Sequence, residues 1–204
     1  MRIRHSIVKG FVAAGAVLAL LIAAGCIPSL HPLYTDADIV FEPALVGTWD
    51  GGDAEPSLVF TQAGEDAYTL VYTEDSEESG AFDVHLASIN GRLFLDLFPQ
   101  EPDIDASAFY MLHLMPVHTF ALVELSEQEL KLSVIDPNWL DELLKQDPSA
   151  IKHEMVMDYP VFTASTEELQ AFVTKYAETE GAFSTPMPLK RVVEAGPGEA
   201  PPED

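Results

Sequence analysis

AFDVHLASINGRLFLDLF, residues 81–98, decides how this chain folds. Two apolar stretches, 81–89 and 92–98, flank Asn90-Gly91. A type I′ turn needs positive φ at both central residues, and Asn-Gly meets that need at low steric cost, so the stretch predicts a β-hairpin. Upstream, 45–49 is a first candidate strand. The candidates 57–62 and 68–73 follow, joined by the hairpin-length turn Ala63-Gly64-Glu65-Asp66. Residues 74–80 read as an acidic loop. Downstream, 99–107 holds Pro99, Pro102 and the acids Glu101, Asp103 and Asp105, and reads as a loop. The stretches 108–115 and 117–125 read as strands parted by a bend at Pro116. A further hairpin closes through Ser126-Glu127-Gln128 into 129–135.

Helices come late. Asp136-Pro137 is a cap followed by proline at the first helical position, and Trp139, Leu140, Leu143 and Leu144 share one face behind it. Asp147-Pro148 repeats that signal and predicts a shorter helix towards Glu154. Ser165-Thr166-Glu167-Glu168 is a capping box, and Leu169, Phe172, Val173 and Tyr176 follow at helical spacing. Short strands are expected at 159–163 and 188–193. The fold class is α+β: a predominantly antiparallel β meander, curled into a barrel or a strongly curved sheet, with two to three C-terminal helices.

The N-terminus sets the address. Arg2, Arg4 and Lys9 precede an uncharged run over residues 10–25. As a helix that run is about 24 Å long, short of a membrane span. A basic start, an apolar run and small residues before a boundary make a secretory signal. The run ends in Leu20-Leu21-Ile22-Ala23-Ala24-Gly25-Cys26, and Cys26 is the only cysteine. This resembles the lipobox of bacterial lipoproteins cut by signal peptidase II, with Ala23 where leucine is usual. The resemblance implies a diacylglyceryl group on Cys26 and a mature chain beginning there. Residue 27 is Ile and not Asp, the usual inner-membrane retention signal. In a Gram-negative source the expected place is therefore the periplasmic face of the outer membrane.

The expected organisation is a signal peptide (1–25), a lipidated tether whose second half docks (26–43), one β-rich domain with C-terminal helices (44–193), and a disordered acidic tail (194–204). The whole chain has 34 acids against 10 Lys and Arg, a formal charge of −24, which becomes −27 without Arg2, Arg4 and Lys9. Such a surface repels nucleic acid and anionic head groups, so attachment must come from acyl chains. Crowded carboxylates are expected to repel one another and to titrate above their ordinary range, while the few at helix caps, such as Asp136 and Glu168, are expected to behave oppositely.

Gly47-Thr48-Trp49 resembles the G-x-W motif of the first lipocalin strand, in which an arginine from a late strand lies over the Trp. Arg191 is the candidate at the matching place. The wider opening, residues 29–35 and 41–49, resembles a group of small bacterial lipoproteins. That resemblance implies the address and no activity.

For chemistry, Met111, His113 and Met115 would share one strand face with His118 just beyond, a donor set suited to copper. Tyr110, Leu112 and Leu114 make the opposite face equally apolar, which favours a buried strand over a metal site. Asp103-Ile104-Asp105 lacks the glycine and later acids of a calcium loop. His85, His113, His118 and His153 offer bases without a distinguishing spacing. No catalytic residue, cofactor or metal ligand is assigned. Two classes remain: a module holding a small apolar or cationic ligand inside the barrel, and a structural or assembly lipoprotein contacting other envelope proteins. A hollow barrel favours the first; a filled barrel with an exposed apolar patch favours the second.

Overall fold

The computed structural model describes residues 26–52, 57–74, 78–102 and 104–192. Residues 1–25, on which the expected signal peptide falls, Asp103, and the expected acidic tail from 194 lie outside them. Eight strands close an antiparallel barrel: β1 Gly47–Asp50, β2 Ser57–Ala63, β3 Ala67–Glu74, β4 Glu78–Ile89, β5 Arg92–Pro99, β6 Thr119–Leu125, β7 Glu129–Ser133 and β10 Met187–Arg191. Each of β1 to β6 pairs with the next, and β10 returns to close the ring between β7 and β1. The Asn90-Gly91 turn has the predicted positive φ values of 50° and 76°. A closed barrel of eight strands is the size class in which the interior is either filled by side chains or holds one small ligand. This is the α+β, lipocalin-like architecture expected from the meander.

Strand alternation separates two cores. Inward positions give Trp49, Leu58, Phe60, Tyr68, Leu70, Val84, Leu86, Leu95, Val123, Leu130 and Leu189, all buried in one cluster. A 3-10 turn, Pro43–Leu45, adds Leu45 to that cluster. The barrel axis is thus occupied by the chain's own side chains. The second core lies outside the barrel, where Ala87, Ile89, Phe94 and Phe120 pack against the helices and the N-terminal segment.

Three helices and a hairpin build that outer layer: α1 Ala108–Met111, α2 Pro137–Gln146, α3 Thr166–Tyr176, and β8 His153–Val156 paired with β9 Tyr159–Phe162. Both expected caps form. The Asp136 carboxylate accepts from the backbone N–H groups of Asn138 and Trp139, and Ser165 and Glu168 make the reciprocal capping box. Leu169, Phe172 and Val173 are buried and Tyr176 packs at the margin.

Several expectations are corrected. Residues 108–115 are not a strand. They form the single turn of α1, capped by Ser107, followed by an irregular stretch. The segment contains no β-branched residue, and Ala, Leu and Met are good helix formers. The predicted helix after Asp147 is also absent. Its carboxylate accepts from the backbone and hydroxyl of Ser149, closing a local turn that leads into β8. The acidic loop at 74–80 shrinks because β3 runs to Glu74 and β4 starts at Glu78. The first strand begins at Gly47, after the 3-10 turn. Docking of the N-terminal segment starts at Ile27, which is already buried, and not in its second half.

Candidate functional site

Residues 27–40 run across the outer face of the barrel and are fastened at five places. Ser29 bridges to His118 on one side and to Phe162 on the other. The backbone N–H of Leu33 donates to Asp96 Oδ2 at 2.7 Å. Thr166 Oγ1 and Gln170 Nε2, both on α3, donate to the carbonyls of Pro32 and Leu33. Gln170 also donates to Asp38 Oδ2 at 2.8 Å. Ile39 then pairs with Ala87 beside the upper part of β4.

Asp96 is the centre of this clamp. It sits on the outward face of β5, fully buried, with Oδ1 2.7 Å from His118 Nδ1. The Phe98 ring covers His118 at 4.6 Å, and the Tyr34 ring lies 4.4 Å from His85. Burial first, and then the negative charge of Asp96, pushes the Tyr34 hydroxyl up. An Asp–His pair invites comparison with a hydrolytic triad, and Ser29 is buried nearby. The Ser29 hydroxyl, however, donates to the His31 carbonyl at 2.8 Å and accepts from the His31 backbone at 3.3 Å. It is committed locally and is not bonded to His118. The Asp96–His118 pair therefore fastens the segment to the barrel. Sequence reasoning did not single out Asp96, although a lone acid within RLFLDLF (residues 92–98) was a readable sign of a buried partner.

The residues of the G-x-W resemblance are brought together at one end of the barrel. The Arg191 guanidinium carbon lies 4.3 Å from the centre of the Trp49 ring. Its nitrogens donate to the carbonyls of Glu127, Val46 and Ala44. Trp49 Nε1 donates to the Leu45 carbonyl at 2.9 Å. Gly47 has a φ of +135°, and a Cβ there would lie 2.6 Å from Arg191 Nη1, so only glycine fits under the guanidinium. No family model, curated protein or solved structure matches this chain. The likeness to lipocalins thus rests on the barrel and on these three residues.

The copper-type set is dispersed. The shared strand face does not exist: Met111 ends α1, His113 turns back to bond the Phe109 carbonyl, Met115 is exposed, and His118 is held by Asp96. Among the described residues no three His, Cys, Asp or Glu side chains converge on a metal position. The two depressions that stand out are open surface grooves, one beside Asp38 and Gln170 and the other beside Lys152 and Glu154. Neither enters the barrel. Cys26 is half-buried, and burial pushes its thiol up, away from the reactive thiolate.

Asp38, Asp147 and Glu167 are held below their ordinary range, against the expectation for crowded carboxylates, whereas the lowering of Glu168, at a helix cap, is the expected direction. Hydrogen bonds from the Thr35 hydroxyl and backbone hold Asp38 below the usual range. Lys152 and the Ser165 backbone do the same for Glu168, and Asp147 and Glu167 also move down. A carboxylate lowered in the folded state adds stability above its unfolded pKa of about 4, and that stability is lost as pH falls through the folded value. The melting temperature is therefore expected to fall between about pH 4 and pH 2. A melting temperature that rises over this interval would show that relief of charge repulsion outweighs these bonds.

Proposed function

We propose that the chain is a lipid-anchored bacterial envelope protein that acts through its outer surface, with the filled barrel as a rigid scaffold. It belongs to the structural or assembly class, contacting membrane or envelope partners, and no enzymatic step is assigned to it. The observation that carries this reading is the interior, where inward side chains from Trp49 to Leu189 close on one another. An interior ligand would have to displace them. Exposed apolar side chains are instead gathered outside the barrel, on residues 109–115 and 155–159.

The anchor follows from the apolar run ending in Gly25-Cys26. The domain itself offers no alternative means of attachment by charge. No helix among the described residues is long and apolar enough to cross a membrane. Cys26→Ser is expected to abolish incorporation of labelled fatty acid and to leave the chain unprocessed or released. In a Gram-negative host, the wild type should fractionate with the outer membrane. Wild-type protein that is exported without taking up fatty acid would defeat the reading.

A further inference from the structure

The longest uncharged stretch of the described residues is 106–123, in a chain with 34 acids among 204 residues. Its first half faces solvent: Phe109, Leu112 and Met115 are 75%, 82% and 72% exposed. A second apolar element is the tip of the β8–β9 hairpin. There Met155 and Tyr159 are more than half exposed, and Met157 is 88% exposed. Met157 also holds a φ of +48°, with Asp158 following at +68°. These values belong to the two-residue turn that joins Val156 to Tyr159, and the turn presents the methionine outward, where it adds nothing to either core.

Both elements are fastened to the same three residues. The Ser29 N–H donates to the His118 carbonyl at 2.8 Å and the His118 N–H to the Ser29 carbonyl at 2.9 Å, which ties in the end of the 108–117 stretch. The Phe162 N–H donates to the Pro28 carbonyl at 2.8 Å and the Leu30 N–H to the Phe162 carbonyl at 2.9 Å, which ties in the hairpin. Ile27 is buried, so no free linker separates Cys26 from this body. Three residues span at most about 10 Å, so Cys26 lies within that reach of Ser29.

We infer that the 108–117 stretch and the tip of the β8–β9 hairpin form a docking surface for the lipid bilayer, set around Cys26. This rests on the acylation of Cys26 proposed above. A diacylglyceryl group on a cysteine with no linker brings its surroundings against the head groups. Of those surroundings the 108–117 stretch holds no Asp, Glu, Lys or Arg, so the bilayer does not repel it, and the hairpin tip adds Met155, Met157 and Tyr159 beside Glu154 and Asp158. Apolar side chains of an interfacial element settle about 5–10 Å into the boundary between head groups and acyl chains. Glu154 and Asp158 on the hairpin keep the insertion at head-group depth.

The test uses the full-length, processed protein in vesicles of phosphatidylethanolamine and phosphatidylglycerol. With Cys26 acylated, Leu112→Cys or Met157→Cys provides one free thiol, to which an environment-sensitive NBD dye is attached. Glu65→Cys, in the β2–β3 turn across the barrel from β6, is the reference. The expected result is blue-shifted emission, quenching by nitroxide lipids and loss of iodide access at 112 and 157, with position 65 open to iodide. Acylation is read separately, by maleimide labelling of the denatured wild type. An unlabelled wild type with 112 and 157 as open as 65 overturns the docking surface alone. A wild type that takes the label overturns the anchor and the docking surface with it. Protection that arises only when envelope proteins are added assigns the surface to a protein and also overturns the inference.

Discussion

Replacing Trp49 by alanine is expected to lower the unfolding free energy by about 3–5 kcal/mol, read from the urea midpoint of the chain made without residues 1–26. The side chain is fully buried at the end of the barrel. Three losses coincide. The interior loses its largest ring, the Leu45 carbonyl loses the donor at 2.9 Å, and the Arg191 guanidinium loses the face it covers at 4.3 Å. Because Leu45 belongs to the same cluster, the 3-10 turn over the barrel end should loosen as well. A double-mutant cycle with Arg191→Met separates these parts, and a coupling of about 0.5–2 kcal/mol is expected for the stacked cation. An unchanged midpoint in Trp49→Ala would mean that this barrel end is not packed as described.

Phe172→Ala is expected to cost a similar amount, about 3–5 kcal/mol. The Phe172 ring lies 5.8 Å from Phe162, 6.3 Å from Trp139 and 4.9 Å from Tyr176, so it joins α3 to β9 and α2. Its loss should also reach the N-terminal segment, because Thr166 and Gln170 on the same helix bond the Pro32 and Leu33 carbonyls. Faster amide exchange at Leu33 is the expected companion of the lowered midpoint. A midpoint and an exchange rate that both match wild type would show that α3 rests loosely on the barrel.

The barrel was legible in the sequence because its signals are local. Asn90-Gly91 names its own turn geometry, and the capping residues of α2 and α3 name their own helix starts. Trp49 and Arg191, 142 positions apart, meet only through ring closure by β10, which spacing alone does not reveal. The 108–115 stretch was misread because an apolar run normally means burial. Here the run is exposed, and periodicity carries no information about what lies outside the fold. Tether length was misread for a related reason. Pro28 and Pro32 exclude a helix, but an extended segment can be clamped as firmly as a strand, here by Asp96 and Ser29. Whether a barrel is filled depends on inward side chains from all eight strands at once, so that property became visible only in three dimensions.

The central claim is that the protein is held to a membrane through Cys26. The most direct measurement is the intact mass of the mature protein extracted from the membrane fraction with mild detergent. The account predicts a chain that begins at Cys26 and carries a diacylglyceryl group on Sγ, with tandem fragmentation placing the added mass on that residue. A chain that keeps residues 1–25, or one that begins elsewhere with an unmodified Cys26, would contradict it.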